Sequence, residues 1–147
     1  MASNRGFPKP RRFTLDEQIF HMSVRWPEFQ LVRRQRQLEA IWKGRIQPAP
    51  LSNVYTVSMR FRPRWRPEAR VLTPKLKPPE GVDGLPHTYP DGSLCLNLEG
   101  EWSEGMLVSE TILPWASSWL YFYEVWHATG FWRGGGTHPD RAEHRSE

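Results

Sequence analysis

The chain has one cysteine, Cys95, in 147 residues. A single thiol excludes an intramolecular disulfide, and nothing suggests a secreted, stapled fold. Long apolar runs are missing too. No stretch reaches the roughly 20 residues that span a bilayer, and no apolar segment follows the N-terminal charges as a secretory signal requires. A cytoplasmic protein with no membrane partner is the expectation. Charge of one sign is scarce: the net charge of +4 is too modest to argue for direct nucleic-acid binding. Metal-ligand spacing is lacking as well. His87, Cys95, His127 and His138 form no CxxC, HxxxH or HExxH pair, so no metal is expected. Gly134–Gly136 follows a helical pattern instead of opening one and has no Lys-Ser/Thr after it, which excludes a phosphate loop. No cofactor and no internal repeat are expected.

Eight Trp and fourteen Pro are present in abundance. The first promise a bulky core or an adhesive surface, and the second many extended connections. The length fits one domain. Residues 1–13, with Arg5, Lys9, Arg11 and Arg12, read as a flexible basic arm. Residues 14–133 read as the domain, and 134–147 as a flexible polar tail.

Within the domain, Thr14-Leu15-Asp16-Glu17 is a capping box for a helix reaching about Arg25, with Leu15, Ile19, Met22 and Trp26 on one face. Pro27 ends it. Phe29–Arg36 is either an edge strand or a loop. Leu38–Gln47 alternates as a strand with Leu38, Ala40, Trp42 and Ile46 on one side and Glu39, Lys43 and Arg45 off it. Val54–Arg62 alternates most cleanly, with Tyr55, Val57, Met59 and Phe61 inward. Ala69–Thr73 adds a third short strand, and the three make an antiparallel meander. Pro74–Pro90 shows no periodicity. Loops of that length inside a domain are uncommon and mostly functional. Further on, Ser109 caps a short helix through Leu113, and Pro114 starts a second at a position that tolerates proline. Trp115, Trp119, Phe122 and Trp126 form one stripe on it, read as core, and Gly130 is its stop.

The irregular loop delivers the chain to His87-Thr88-Tyr89-Pro90-Asp91-Gly92-Ser93-Leu94-Cys95-Leu96-Asn97-Leu98. Asp91-Gly92 is a turn signal. In an extended Ser93–Leu98 the leucines share one face, and Ser93, Cys95 and Asn97 share the other. An outward thiol among polar groups is a candidate nucleophile; a small buried filler is the other reading. Asn97 lies about 7 Å along the strand from Cys95, where it can donate to an oxyanion. His87 is either a base for Cys95 or a loop residue bonding backbone.

The order of these parts resembles the ubiquitin-conjugating enzyme fold, an α+β architecture with an N-terminal helix, an antiparallel β-meander, a Cys-bearing loop and C-terminal helices. Those enzymes carry His-Pro-Asn shortly before Gly-x-Ile-Cys-Leu-Asp, and a Trp several residues after the Cys. The matching residues are His87-Thr88-Tyr89, then Gly92-Ser93-Leu94-Cys95-Leu96-Asn97, then Trp102. Trp42, Gly44, Tyr55–Phe61 and the Pro63 to Pro67 connection match the meander. Tyr89 stands where the family has Asn, and the His-to-Cys interval is shorter.

From Glu110 onward the chain is similar to the bacterial ubiquitin-conjugating-like proteins of cyclic-oligonucleotide-based anti-phage signalling (CBASS) operons. The residues that carry this likeness are Glu110–Trp115, Trp119-Leu120, Tyr123–Trp126 and Thr129–Trp132 with Gly134–Gly136. This resemblance implies an acyl transferase whose Cys95 forms a thioester with the C-terminal glycine of a cGAS-like cyclic-oligonucleotide synthase. It implies support from His87, Tyr89 and Asn97, with His87 shaping the loop. The sequence shows no nucleotide-binding activating domain, so either a separate activating enzyme loads the thioester or the route is unusual. Two rival readings remain: a non-catalytic adaptor of the same fold, and a small cysteine hydrolase using His87 and Cys95.

Overall fold

Thr14 opens the first helix. Its hydroxyl accepts from the Glu17 N–H at 3.1 Å, and the Glu17 carboxylate accepts from the Thr14 N–H at 3.2 Å. Two orphan donors are thereby satisfied reciprocally, as the capping box requires. Helix α1 runs Leu15–Arg25 and stops before Pro27. The computed structural model describes residues 11–96 and 102–134. Leu15 and Met22 are buried on the inner face of α1, with Ile19 and Trp26 packed beside them. Gln18 is buried on that face too. Its amide N–H donates to the Met106 carbonyl at 2.8 Å, and its amide oxygen accepts from the Val108 N–H at 3.0 Å. The Trp26 indole N–H donates to the Ser109 carbonyl at 2.7 Å. These bonds fasten α1 to residues 106–109.

Four strands follow: β1 Gln30–Gln35, β2 Glu39–Ile46, β3 Tyr55–Phe61 and β4 Glu68–Thr73. They form an antiparallel sheet in the order β1-β2-β3-β4. The ambiguous Phe29–Arg36 stretch is thus an edge strand, and the meander has four members. All of β1 is exposed, and its Arg33 and Arg34 suit a solvated edge. On β3 the buried residues are Tyr55, Val57, Met59 and Phe61. Opposite them on β2 lie Ile46, Gly44, Trp42 and Ala40. Each large apolar side chain buried this way contributes about 1.5–3 kcal/mol. Gly44 is needed for a close approach: a Cβ there would overlap the ring of Phe29.

Two residues of the Leu38–Gln47 stretch depart from its expected alternation. Leu38 is exposed, because it lies in the tight turn closed by its own N–H onto Gln35. Glu39 is on the outer face yet buried, because Arg33 and Arg60 fold over it as ion-pair partners.

The C-terminal part holds one helix among the described residues, α2 Ile112–Thr129, where two were expected. Pro114 sits inside its first turn, where no intrahelical N–H is required of it. The preceding residues form a turn instead of a helix: the Thr111 N–H and hydroxyl both donate to the Leu107 carbonyl, at 3.1 and 2.8 Å. Gly130, at φ 80°, closes α2 with its N–H on the Trp126 carbonyl. Ile112, Leu113, Ala116 and Leu120 share a core with α1 and the inner face of the sheet. The result is an α+β layer of two helices on one antiparallel sheet. No helix among the described residues is long and apolar enough to cross a membrane.

Residues 74–90 contain no regular element. The loop is strapped to α2 at Lys77. The Lys77 N–H donates to the Tyr123 hydroxyl at 3.0 Å, and its carbonyl accepts from that hydroxyl at 3.1 Å. His127 Nε2 lies 2.7 Å from the same carbonyl.

Candidate functional site

The Cys95 loop is built from its turn outward. Gly92, at φ 88°, lets the chain reverse at Asp91-Gly92. The Gly92 N–H donates to the Tyr89 carbonyl at 2.9 Å, and the Tyr89 N–H donates to the Ser93 carbonyl at 2.8 Å. The Asp91 carboxylate accepts from the Ser93 N–H at 2.8 Å and the Ser93 hydroxyl at 2.6 Å. These bonds, the Ser93 hydroxyl first, hold the Asp91 carboxyl below the usual aspartate range, and Arg70 adds to the effect. Arg70 also donates to the Asp91 carbonyl. The Leu94 N–H donates to the Ala69 carbonyl at 2.9 Å. The loop is therefore hung from β4 at two points.

Within Ser93–Leu98 the described residues end at Leu96, and over them the expected in-out alternation fails at Ser93. A single bridge, Thr88 to Leu94, is all the strand pairing there is among the described residues of this loop. Ser93 and Leu94 are both buried. Asp91 draws Ser93 inward, and that breaks the simple in-out alternation. Cys95 is half-buried, and Leu96 packs on the core. Asn97 and Leu98 lie outside the described residues.

Three of the four site residues named from sequence are brought together. The Cys95 N–H donates to the His87 carbonyl at 2.8 Å. His87 is buried, with φ 49°. Its carbonyl also accepts from the Trp119 indole N–H at 3.2 Å, and its ring lies 5.3 Å from that of Trp132. Burial, first, and then the Cys95 sulfur push the Tyr89 phenol above its ordinary value, so it remains an O–H donor. The Arg66 guanidinium sits 3.5 Å from the Tyr89 ring centroid and pulls weakly the other way.

Beside Cys95 opens a cavity of about 190 Å³. Trp115, Ser118, Trp119 and Phe122 of α2 form one wall, and Trp132 and Gly134 close it, facing His87 and Leu96. The aromatic stripe is thus shared: Trp119 and Trp126 are buried, while Trp115, Trp119 and Phe122 also face the thiol's cavity. Arg66 and Trp132 were not legible as site residues. Arg66 lies in the Pro63–Pro67 connection with no pattern around it, and Trp132 follows the helix stop. A wider hollow of about 500 Å³ lies beside Tyr123 and Glu124. Its carboxylate is already engaged by the Tyr55 hydroxyl and the Asn53 N–H. Among the described residues no three of His, Cys, Asp and Glu converge as metal ligands.

The cavity therefore has one thiol, a loop carbonyl holding that residue's backbone N–H and a largely aromatic wall. That set suits a covalent carrier of an acyl group. No curated protein matches the sequence. The sequence model of the family described as Type II CBASS E2 protein matches residues 18–139. The match runs from α1 through the sheet, the Cys95 loop and α2, so the chain belongs to the Type II CBASS E2 proteins of anti-phage defence systems.

Proposed function

We propose that this protein is a ubiquitin-conjugating-like acyl transferase in which Cys95 forms a thioester with the C-terminal glycine of a cGAS-like cyclic-oligonucleotide synthase. The thioester primes or regulates second-messenger synthesis. The observation that carries this reading is the placement of the chain's sole thiol at an aromatic cavity, with its backbone N–H held by the His87 carbonyl. A separate activating enzyme supplies the activated glycine. The Cys95 thiolate attacks its carbonyl carbon, the donor's leaving group departs, and an S–C bond replaces the bond broken. In a second step an amine attacks, a C–N bond forms, the thiolate leaves and the amine gives up its proton.

Tyr89 takes the place of the family's Asn, and its O–H follows the charge as thiolate forms and departs. His87 acts through its backbone: one carbonyl holds both the Cys95 N–H and the Trp119 indole. Its ring is a wall, not a base. Asn97 is the proposed donor to the oxyanion. Residues 14–133 are the working domain, with 1–13 and 134–147 as appendages.

Mixing the protein with its operon-encoded synthase and activating partner should yield an adduct that thiols cleave, visible on non-reducing gels and lost in Cys95→Ala. An adduct that survives Cys95→Ala would sink the thioester. Phage protection that persists in Cys95→Ser would favour an adaptor of the same fold.

A further inference from the structure

We propose that the indole N–H of Trp132 is a binding group for the acyl donor. It receives a backbone carbonyl of the peptide tail whose terminal acyl group Cys95 takes. The inference rests on the reading of Cys95 as a thioester carrier and names the chemistry of the donor.

Trp132 Nε1 is buried and has no hydrogen-bond partner among the described residues. A buried donor left unpaired costs about 1–3 kcal/mol, and such groups are few in native proteins. Trp119 and Trp26 show the contrast: the indole of each donates to a backbone carbonyl, His87 and Ser109 respectively. Trp132 sits among the same aromatic rings, 5.2 Å from Trp119 and 5.3 Å from His87, yet its donor is unused.

The position of that donor says what it awaits. Trp132 lines the cavity that Cys95 also lines. A chain whose carbonyl carbon reaches the sulfur therefore runs through a cavity walled in part by Trp132. No Lys, Arg, Asp or Glu lines this cavity among the described residues. A phosphate or carboxylate would find no fixed cation there, whereas a neutral carbonyl needs only one N–H. The volume of about 190 Å³ suits a narrow chain over a bulky side chain. Gly134 keeps the space narrow but open: a Cβ there would lie 2.9 Å from Trp132 Nε1 and 3.1 Å from the Phe122 ring. The donor class is an extended peptide ending in a small residue.

The test uses a short peptide ending in glycine, supplied as its C-terminal thioester with 2-mercaptoethanesulfonate. The Cys95 thiolate attacks the thioester carbonyl, the new S–C bond forms, and 2-mercaptoethanesulfonate leaves as its thiolate. Acylation is followed by intact mass against peptide concentration for the wild-type chain and Trp132→Phe. The substitution keeps a ring and removes the N–H. The half-saturating concentration should rise about tenfold, equivalent to about 1.4 kcal/mol, with the maximal rate unchanged. An acetyl thioester, which has no second carbonyl, should acylate both proteins alike. The melting temperature should hold or rise, because an unpaired donor has been removed. Gly134→Ala, which fills the space beside the N–H, should also raise the half-saturating concentration.

An unchanged half-saturating concentration in Trp132→Phe would overturn the inference, as would a loss confined to the maximal rate. If the wild-type chain is acylated at Cys95 and Trp132→Phe matches it, only the Trp132 inference falls. If the peptide thioester never acylates wild-type Cys95, the thioester reading falls with it.

Discussion

Replacing Tyr89 by Phe should slow acyl transfer at Cys95 about tenfold without changing the half-saturating donor concentration. The substitution removes one O–H and leaves the ring where it is. Arg66 lies 3.5 Å from that ring's centroid, so the cation–π contact of about 0.5–1 kcal/mol survives. What is lost is the phenol O–H, which the proposed reaction uses as a hydrogen-bond donor to the charged sulfur. Hydrogen bonds to charged groups contribute about 1.5–3 kcal/mol, or about 10- to 150-fold in rate. Tyr89 is only half-buried, so water can replace part of the lost bond, and the lower end applies. The assay is single-turnover acylation of Cys95 by the glycine thioester, read by intact mass at saturating donor. The pH dependence adds a second check. Burial, then Cys95, raise the Tyr89 phenol above its ordinary value. Its neutral form is thus favoured in the folded protein. That contribution is complete below the ordinary tyrosine range and lost only as pH rises through the raised value. The gap between wild type and Tyr89→Phe should therefore stay constant from about pH 7 to 9. A maximal rate within twofold of wild type, or a gap that closes across this range, would refute the role given to the phenol.

Three further outcomes concern the frame that holds the site. Gln18→Met strands the Val108 N–H and the Met106 carbonyl and should cost about 2–4 kcal/mol; urea titration showing a loss under about 1 kcal/mol would contradict it. Gly44→Ala forces a methyl into the Phe29 ring and should lower stability by about 1–3 kcal/mol, seen as a lower melting temperature. Asp91 is held below the ordinary aspartate range by Ser93 first and then by Arg70. Its contribution is present above that ordinary range and is lost as pH falls through the lowered value. Asp91→Asn should therefore flatten the loss of stability below about pH 4, and an unchanged acid limb in thermal melts would argue against it.

Much of the frame is written locally. Thr14 and Glu17 cap α1 within one turn, and Pro27 stops it, because both effects act over a few residues of chain. The alternation of Tyr55, Val57, Met59 and Phe61 specifies a strand with one buried face, and Gly130 specifies a left-handed cap. The turn at Asp91-Gly92 and the lone Cys95 are legible for the same reason. The alternation and the helix start are not legible where a side-chain partner, near or distant in the chain, changes a residue's surroundings. Glu39 is buried by Arg33 and Arg60, and Ser93 is drawn inward by Asp91 on a loop that Arg70 and Ala69 hold. Pro114 lies inside one helix because the turn before it is closed by Thr111 on Leu107.

The sequence by itself determined α1, the three inner strands and their order, the family and the identity of the one thiol. Each of these depends on residue type, period or short-range hydrogen bonding. Only the tertiary structure decided what surrounds that thiol. The cavity needs Trp115 and Trp119 from α2, Trp132 from beyond it and His87 from the irregular loop. The Tyr89 phenol stands under an arginine from the connection before β4. No period in the chain encodes those meetings, because they exist only once α2 and the Cys95 loop are packed on the same sheet.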